Sequence, residues 1–102
     1  VAGDNTTSLR ELLDTRREEI KAVVARHKGH SVAVFGSVAR GDEHPGSDLD
    51  FLVEFEPGTR PFELLALGAE LEELLGVKVD VGTPQSLRPA VRASVLAEAV
   101  PL

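Results

Sequence analysis

Phe35-Gly36-Ser37-Val38-Ala39-Arg40-Gly41 and, a few turn-forming residues later, Ser47-Asp48-Leu49-Asp50-Phe51-Leu52-Val53-Glu54-Phe55 decide how this chain is read. In the second stretch apolar side chains alternate. Leu49, Phe51, Val53 and Phe55 fall on one face of a strand, and Asp48, Asp50, Leu52 and Glu54 on the other. One face therefore suits a core, while the other opens with two carboxylates about 6–7 Å apart. Upstream, Ser31-Val32-Ala33-Val34-Phe35 is a short β-branched run between glycines and predicts a buried strand. Val38-Ala39-Arg40 is long enough for about one helical turn, and Gly41 to Ser47 is turn material.

Working outward, Ser8 and Glu11 read as a capping box at a helix start. Leu9, Leu12, Leu13, Ile20, Val23, Val24 and His27 follow at helical spacing, with Gly29 as the stop. Past Pro57-Gly58, a helix is expected over Phe62–Leu75, opened near Pro61, striped by Leu64, Leu67, Leu71 and Leu74 and ended by Gly76. Val77-Lys78-Val79-Asp80-Val81 alternates as a strand. A last helix is expected from near Ser86 to about Glu98, with Pro89 in its first turn. The order α-β-α-β-α-β-α predicts an α/β (α+β) fold: a small sheet of three or more strands with flanking helices, its strand directions not given by the pattern, and residues 1–102 forming a single domain.

Composition removes several function classes. There is no Cys, Met, Trp or Tyr among the 102 residues, and only four Phe. Disulfide frameworks, zinc-thiolate sites and large aromatic platforms are thereby excluded. No apolar run approaches the roughly 20 residues that cross a bilayer, and residues 1–8 lack the plan of a signal peptide, so the expected location is cytoplasmic. The formal net charge of -6 argues against direct binding of long nucleic acid, which usually requires a basic face. It favours a metal-bound small nucleotide or a basic protein partner.

Two carboxylates on one strand raise each other's pKa unless a cation lies between them. Such oxygen-rich pairs suit Mg²⁺ or Mn²⁺. Asp80 is the acid of the other alternating strand. If the two strands are neighbours, Asp48, Asp50 and Asp80 form a three-carboxylate cluster able to serve one or two metal ions in phosphoryl chemistry. Gly36-Ser37, where a strand gives way to a helical turn, lets the backbone approach a phosphate; the plainer reading is a bend and a cap. Gly36 and Gly41 have Walker A spacing, but Asp42 and Glu43 stand where Lys and Ser/Thr are required, which excludes a P-loop.

Taken together, Gly36-Ser37-Val38-Ala39-Arg40-Gly41 and Ser47-Asp48-Leu49-Asp50 resemble the signature of the DNA polymerase beta-like nucleotidyltransferases. Within that superfamily the run is similar to the minimal nucleotidyltransferases (MNT), antitoxin partners of HEPN ribonuclease toxins. The resemblance extends through Val77-Lys78-Val79-Asp80 and the closing helix.

It implies a palm-like fold built on a small mixed sheet, and an enzyme. Asp48, Asp50 and Asp80 would be catalytic and would ligate Mg²⁺, with Asp80 placed to help activate the attacking hydroxyl. Gly36 and Ser37 would hold the phosphates of ATP, the substrate, with Arg40 and Ser47 beside them. The reaction implied is transfer of AMP to a hydroxyl, a tyrosine of the cognate HEPN toxin. Two other readings stay open: an antitoxin that neutralises by binding alone, and the catalytic subunit of a two-chain transferase acting on a small molecule or an RNA end.

His27 is expected to sit against a helix C-terminus, where the dipole favours it. Glu63, Glu70, Glu72 and Glu73 are expected to form a solvated face.

Overall fold

The computed structural model describes residues 9–41 and 48–102. Four α-helices are described: α1 (Leu9–Arg26), α2 (Ser37–Arg40), α3 (Pro61–Leu75) and α4 (Pro89–Glu98). Among the described residues one sheet contains β1 (Gly29–Phe35), β2 (Leu49–Phe55), β3 (Val79–Gly82) and β4 (Val100–Pro101), in the order β3-β2-β1-β4. β1 is antiparallel to β2 and to β4, whereas β2 and β3 are parallel, so the sheet is mixed as expected.

The alternation read from β2 decides the layers. Leu49, Phe51 and Val53 are fully buried, and across the β1–β2 ladder Val34 stands opposite Phe51 and Val32 opposite Val53. Leu13, Ile20, Val23 and Val24 of α1 and Leu67, Leu71 and Leu75 of α3 complete this core. Both helices therefore pack on one side of the sheet. The other face carries Ser31, Ala33 and Phe35 opposite Glu54, Leu52 and Asp50. Leu52 is buried there too.

The boundaries were legible to within a few residues, and the departures have local causes. α1 stops at Arg26, and Lys28 rather than Gly29 takes the left-handed conformation (φ 69°) that reverses the chain. Gly29 instead opens β1, where a side chain would press on Val24 and on Val53 Cγ1 at 2.9 Å. α3 opens with Pro61 inside its first turn and closes on Gly76 at φ 71°, as the sequence predicts. Val77 and Lys78 lie outside β3, which runs on to Gly82. The last helix begins at Pro89, not near Ser86, because Ser86 closes a separate 3-10 turn over Pro84–Ser86. Its side chain and that of Thr83 cap each other's backbone amides at 3.1 and 3.2 Å. The fourth strand falls within the expected three or more, though the sequence does not place it. Two residues, one a proline, give no readable period, yet Val100 pairs with Val34 and the Leu102 amide donates to the Val32 carbonyl at 3.0 Å. The Ser8 capping residue lies outside the described residues.

No helix among the described residues is long and apolar enough to cross a membrane.

Candidate active site

The parallel β2–β3 ladder pairs Leu49 with Val79, Asp50 with Asp80 and Phe51 with Val81. Directly paired residues share a face, and neighbouring strands lie about 4.8 Å apart. Asp50 and Asp80 are thus side by side on the face opposite the α1–α3 core. Asp48 precedes β2 by one residue and lies two before Asp50, at the same end of the sheet. There the Leu49 amide donates to the Lys78 carbonyl at 3.0 Å. Asp48 and Asp50 are half-buried and Asp80 is exposed.

Gly36 closes the site from the β1 side. β1 is antiparallel to β2, and its last residue, Phe35, pairs with Asp50, so the chain leaves β1 beside that carboxylate. Gly36 turns there with φ 79°, a conformation natural only to glycine. A Cβ at this position would overlap Asp50 Oδ2 and lie 3.2 Å from its Cγ. The Asp50 carboxylate therefore occupies the space that a side chain at residue 36 would fill. α2 begins at once with Ser37, and the Gly41 amide closes it on the Val38 carbonyl at 3.2 Å. Val38 anchors the turn in the core at 1% exposure. From α1, the Arg10 guanidinium donates to the Val38 carbonyl at 3.3 Å and so holds the turn from behind. Ser47 and the side chains of Ser37 and Arg40 lie outside the described residues.

The donor set at this sheet end is made of hard carboxylate oxygens, the type preferred by Mg²⁺ and Mn²⁺ rather than by softer ions. Among the described residues no three His, Cys, Asp or Glu groups stand close enough to hold a metal ion. The backbone brings the three aspartates together, and a cation would have to draw their side chains the remaining distance. A groove of about 430 Å³ runs between α1 and α3, and none of the three aspartates lines it.

The expectations for His27 and for the α3 glutamates need correction. His27 is not simply a helix-end residue facing the dipole. Its Nδ1 lies 2.9 Å from Glu63 Oε1 and its Nε2 lies 2.7 Å from Glu70 Oε1. Two carboxylates on the two ring nitrogens favour the doubly protonated imidazolium. The Glu70 hydrogen bond, then that from Glu63, raises the His27 pKa above its ordinary 6.5. The Glu70 carboxyl is held below its ordinary 4.5, chiefly by His27 and with help from Arg26, which pairs with the same carboxylate. Glu72 is also engaged, accepting the Val79 amide at 3.1 Å. Glutamates spaced along a helix look the same in sequence whether they meet water or a neighbouring element; only the partners, 36 and 43 residues away for His27, separate the cases.

Comparison with known proteins supports the fold. The family model described as a nucleotidyltransferase domain matches residues 16–102. A relative described as a protein adenylyltransferase of Methanocaldococcus jannaschii is 39% identical over 84 residues, covering 82% of this chain and 90% of that protein. The protein adenylyltransferase MntA of Thermococcus cleftensis is 35% identical over 91 residues, covering 81% and 92%. A solved structure described as a minimal nucleotidyltransferase superposes with TM-score 0.85 at 45% identity, covering 95% of this chain and 99% of that one. More distant structures share the fold. A toxin-antitoxin with AMP-PNP gives TM-score 0.71 at 21% identity, with 82% and 69% coverage. An MNT antitoxin in complex with the tri-AMPylated HEPN toxin of Shewanella oneidensis gives 0.67 at 17% identity, with 86% and 69% coverage.

Proposed function

Because the chain belongs to the nucleotidyltransferase family, we propose that it is a protein adenylyltransferase that moves AMP from ATP to a tyrosine hydroxyl of a HEPN toxin and so acts as its antitoxin. The observation that carries this reading is the pairing of Asp50 with Asp80 on one sheet face, with Asp50 seated against the Gly36 turn. The names of the relatives supply the class of reaction, and the partner of the distant structural neighbours supplies the class of acceptor.

In the proposed reaction the acceptor oxygen attacks the α-phosphorus of ATP and forms a new P–O bond. The bond from that phosphorus to the bridging oxygen of the β-phosphate breaks, and pyrophosphate leaves. The backbone at Gly36 and Ser37 would receive the triphosphate, with Arg40 and Ser47 beside it. Asp48, Asp50 and Asp80 would hold Mg²⁺, or Mn²⁺, in one or two sites. Bound there, the metal would neutralise phosphate charge and favour departure of pyrophosphate. Asp80, the more exposed of the β2–β3 pair, would face the incoming hydroxyl and take its proton. The protein's own contribution is positioning: three carboxylates and a tight glycine turn fixed on adjacent strands. Residues 1–102 would serve as a single unit in the cytoplasm, where ATP is at hand.

Replacing both Asp48 and Asp50 with Asn tests the proposal. After incubation with ATP and Mg²⁺, mass spectrometry of the toxin should show an adenylate adduct with the parent protein and none with the double variant. If the double variant still silences the toxin at unchanged affinity, neutralisation is by binding alone. An unmodified toxin beside a labelled small molecule or RNA end would point to a different acceptor.

A further inference from the structure

We propose that Glu72 of α3 is a positioning residue for the reaction, fixing the start of β3 and through it the place of Asp80 beside Asp50. This rests on the assignment of Asp80 to the active site given above.

β3 lies at the edge of the sheet, and its ladder to β2 is parallel. In such a ladder alternate residues of a strand turn their amide and carbonyl to the neighbour, and the residues between turn theirs away. Here the Lys78 carbonyl accepts from the Leu49 amide of β2. The Val79 amide consequently points off the free edge, toward no strand. Val79 as a whole is 7% exposed and packs in the core, so its amide needs a partner other than bulk water. Glu72 supplies that partner, its Oε2 accepting at 3.1 Å.

The position of Glu72 makes this contact a brace rather than an incidental surface bond. Its backbone carbonyl accepts from the Gly76 amide at 2.8 Å, closing α3, while its side chain grips β3 at Val79. One residue thus ties both ends of the short connection between α3 and β3. β3 has only four residues, so its position along β2 is set by very few ladder bonds. Asp80 follows Val79 directly and faces the other side of the sheet. A shift or tilt at Val79 moves the Asp80 carboxylate against Asp50. Misplacements near 1 Å can cost on the order of 100-fold in rate, and losing a support behind a metal ligand about 10- to 100-fold in metal affinity or activity.

The test compares Glu72→Ala, Glu72→Gln and Asp80→Asn in the full chain, each assayed well below its own melting midpoint. Two quantities are read: Mn²⁺ affinity by calorimetry in the presence of a non-hydrolysable ATP analogue, and the kcat and KM for ATP with the HEPN toxin as acceptor. Glu72→Ala should weaken Mn²⁺ binding and lower kcat by about tenfold or more, with KM for ATP changing by less than about twofold. Glu72→Gln keeps a carbonyl oxygen for the Val79 amide and should stay within about threefold of the parent. Parent-like Mn²⁺ affinity and kcat in Glu72→Ala, or an equal loss in both variants, would overturn the proposal. Asp80→Asn that binds Mn²⁺ and turns over like the parent would overturn the underlying assignment instead, and the role of Glu72 with it. Should Glu72→Ala fail to fold, hydrogen exchange in the parent decides the matter. Val79 should be protected despite facing the free edge, and exchange at the rate of an open loop would refute the bond.

Discussion

Raising the pH from 6 to 9 should loosen α1 from α3 at one identifiable place, and His27→Gln should remove that sensitivity. His27 lies just past α1 and contacts Glu63 and Glu70 of α3 with its two ring nitrogens. Other charges near the cluster are Arg26, which pairs with Glu70, and Glu19 and Glu73, which line the groove beside it. The His27 pKa is raised, so its contribution is fully present below 6.5, the ordinary value, and is lost as pH rises through the higher folded-state value. The Glu70 pKa is lowered, so its share is present above 4.5 and fades as pH falls through the lower folded-state value. The clamp is therefore complete between those two ordinary values. The side chains of His27 and Glu63 are each 17% exposed, so the bond between them is largely shielded and contributes about 1 kcal/mol. Glu70 is more open to water, and its bond is screened accordingly. In a domain of this size about 1 kcal/mol corresponds to a shift of roughly 4–8 °C in melting midpoint. Thermal melts of the parent and of His27→Gln at pH 6 and pH 9 should differ by about that much at pH 6 and converge at pH 9. A constant difference at both pH values, or an NMR titration placing His27 at or below 6.5, would refute the reasoning.

Gly36→Ala should abolish AMP transfer and lower stability by more than about 1 kcal/mol, since it combines a left-handed backbone with overlap on Asp50; a melt and a single-turnover assay check both parts. Asp50→Asn should keep the fold and lose activity by several orders of magnitude, read as absence of the adenylate adduct by mass spectrometry. Phe51→Ala removes the largest fully buried side chain and should cost about 3–5 kcal/mol in denaturant unfolding, a large share of a small domain's stability. Arg10→Ala, which frees the Val38 carbonyl behind the turn, should raise the KM for ATP several-fold while changing the melting midpoint by only a few degrees.

Much of this could be read from the sequence because β2 states it twice. The alternation of Leu49, Phe51 and Val53 with Asp48 and Asp50 gives both the buried face and the acidic one, and burial follows that parity except at Leu52, which is buried on the acidic face. α3 was legible for a similar reason, its leucine stripe lying between Pro61 and a left-handed Gly76. What escaped notice has no local signature. β4 is two residues whose strand character comes only from lying beside Val34. The glutamates of α3 carry the same charge whether they face water or grip His27 and Val79. Strand direction is likewise absent from periodicity, yet it is what brings residue 80 level with residue 50.

The acidic pair is specified from the opposite side of the sheet. β3 is short, and a slip of one residue along β2 would reverse the face of each of its side chains. Val79 would leave the core, where it is 7% exposed, and so would Val81, which packs toward Gly68 of α3 at 3.7 Å from where a Cβ would be. Asp80 would enter that core, and an uncompensated carboxylate there costs several kcal/mol. The apolar residues on either side of Asp80 thus hold it on the Asp50 face. They fix which side it takes but not how far along β2 it stands, because apolar packing tolerates small slides. That remaining freedom is limited by hydrogen bonds at the start of the strand, from Leu49 to the Lys78 carbonyl and from Val79 to Glu72. Loss of core residues should therefore unfold the domain, whereas loss of the Glu72 bond should leave a folded protein in which Asp80 no longer stands level with Asp50.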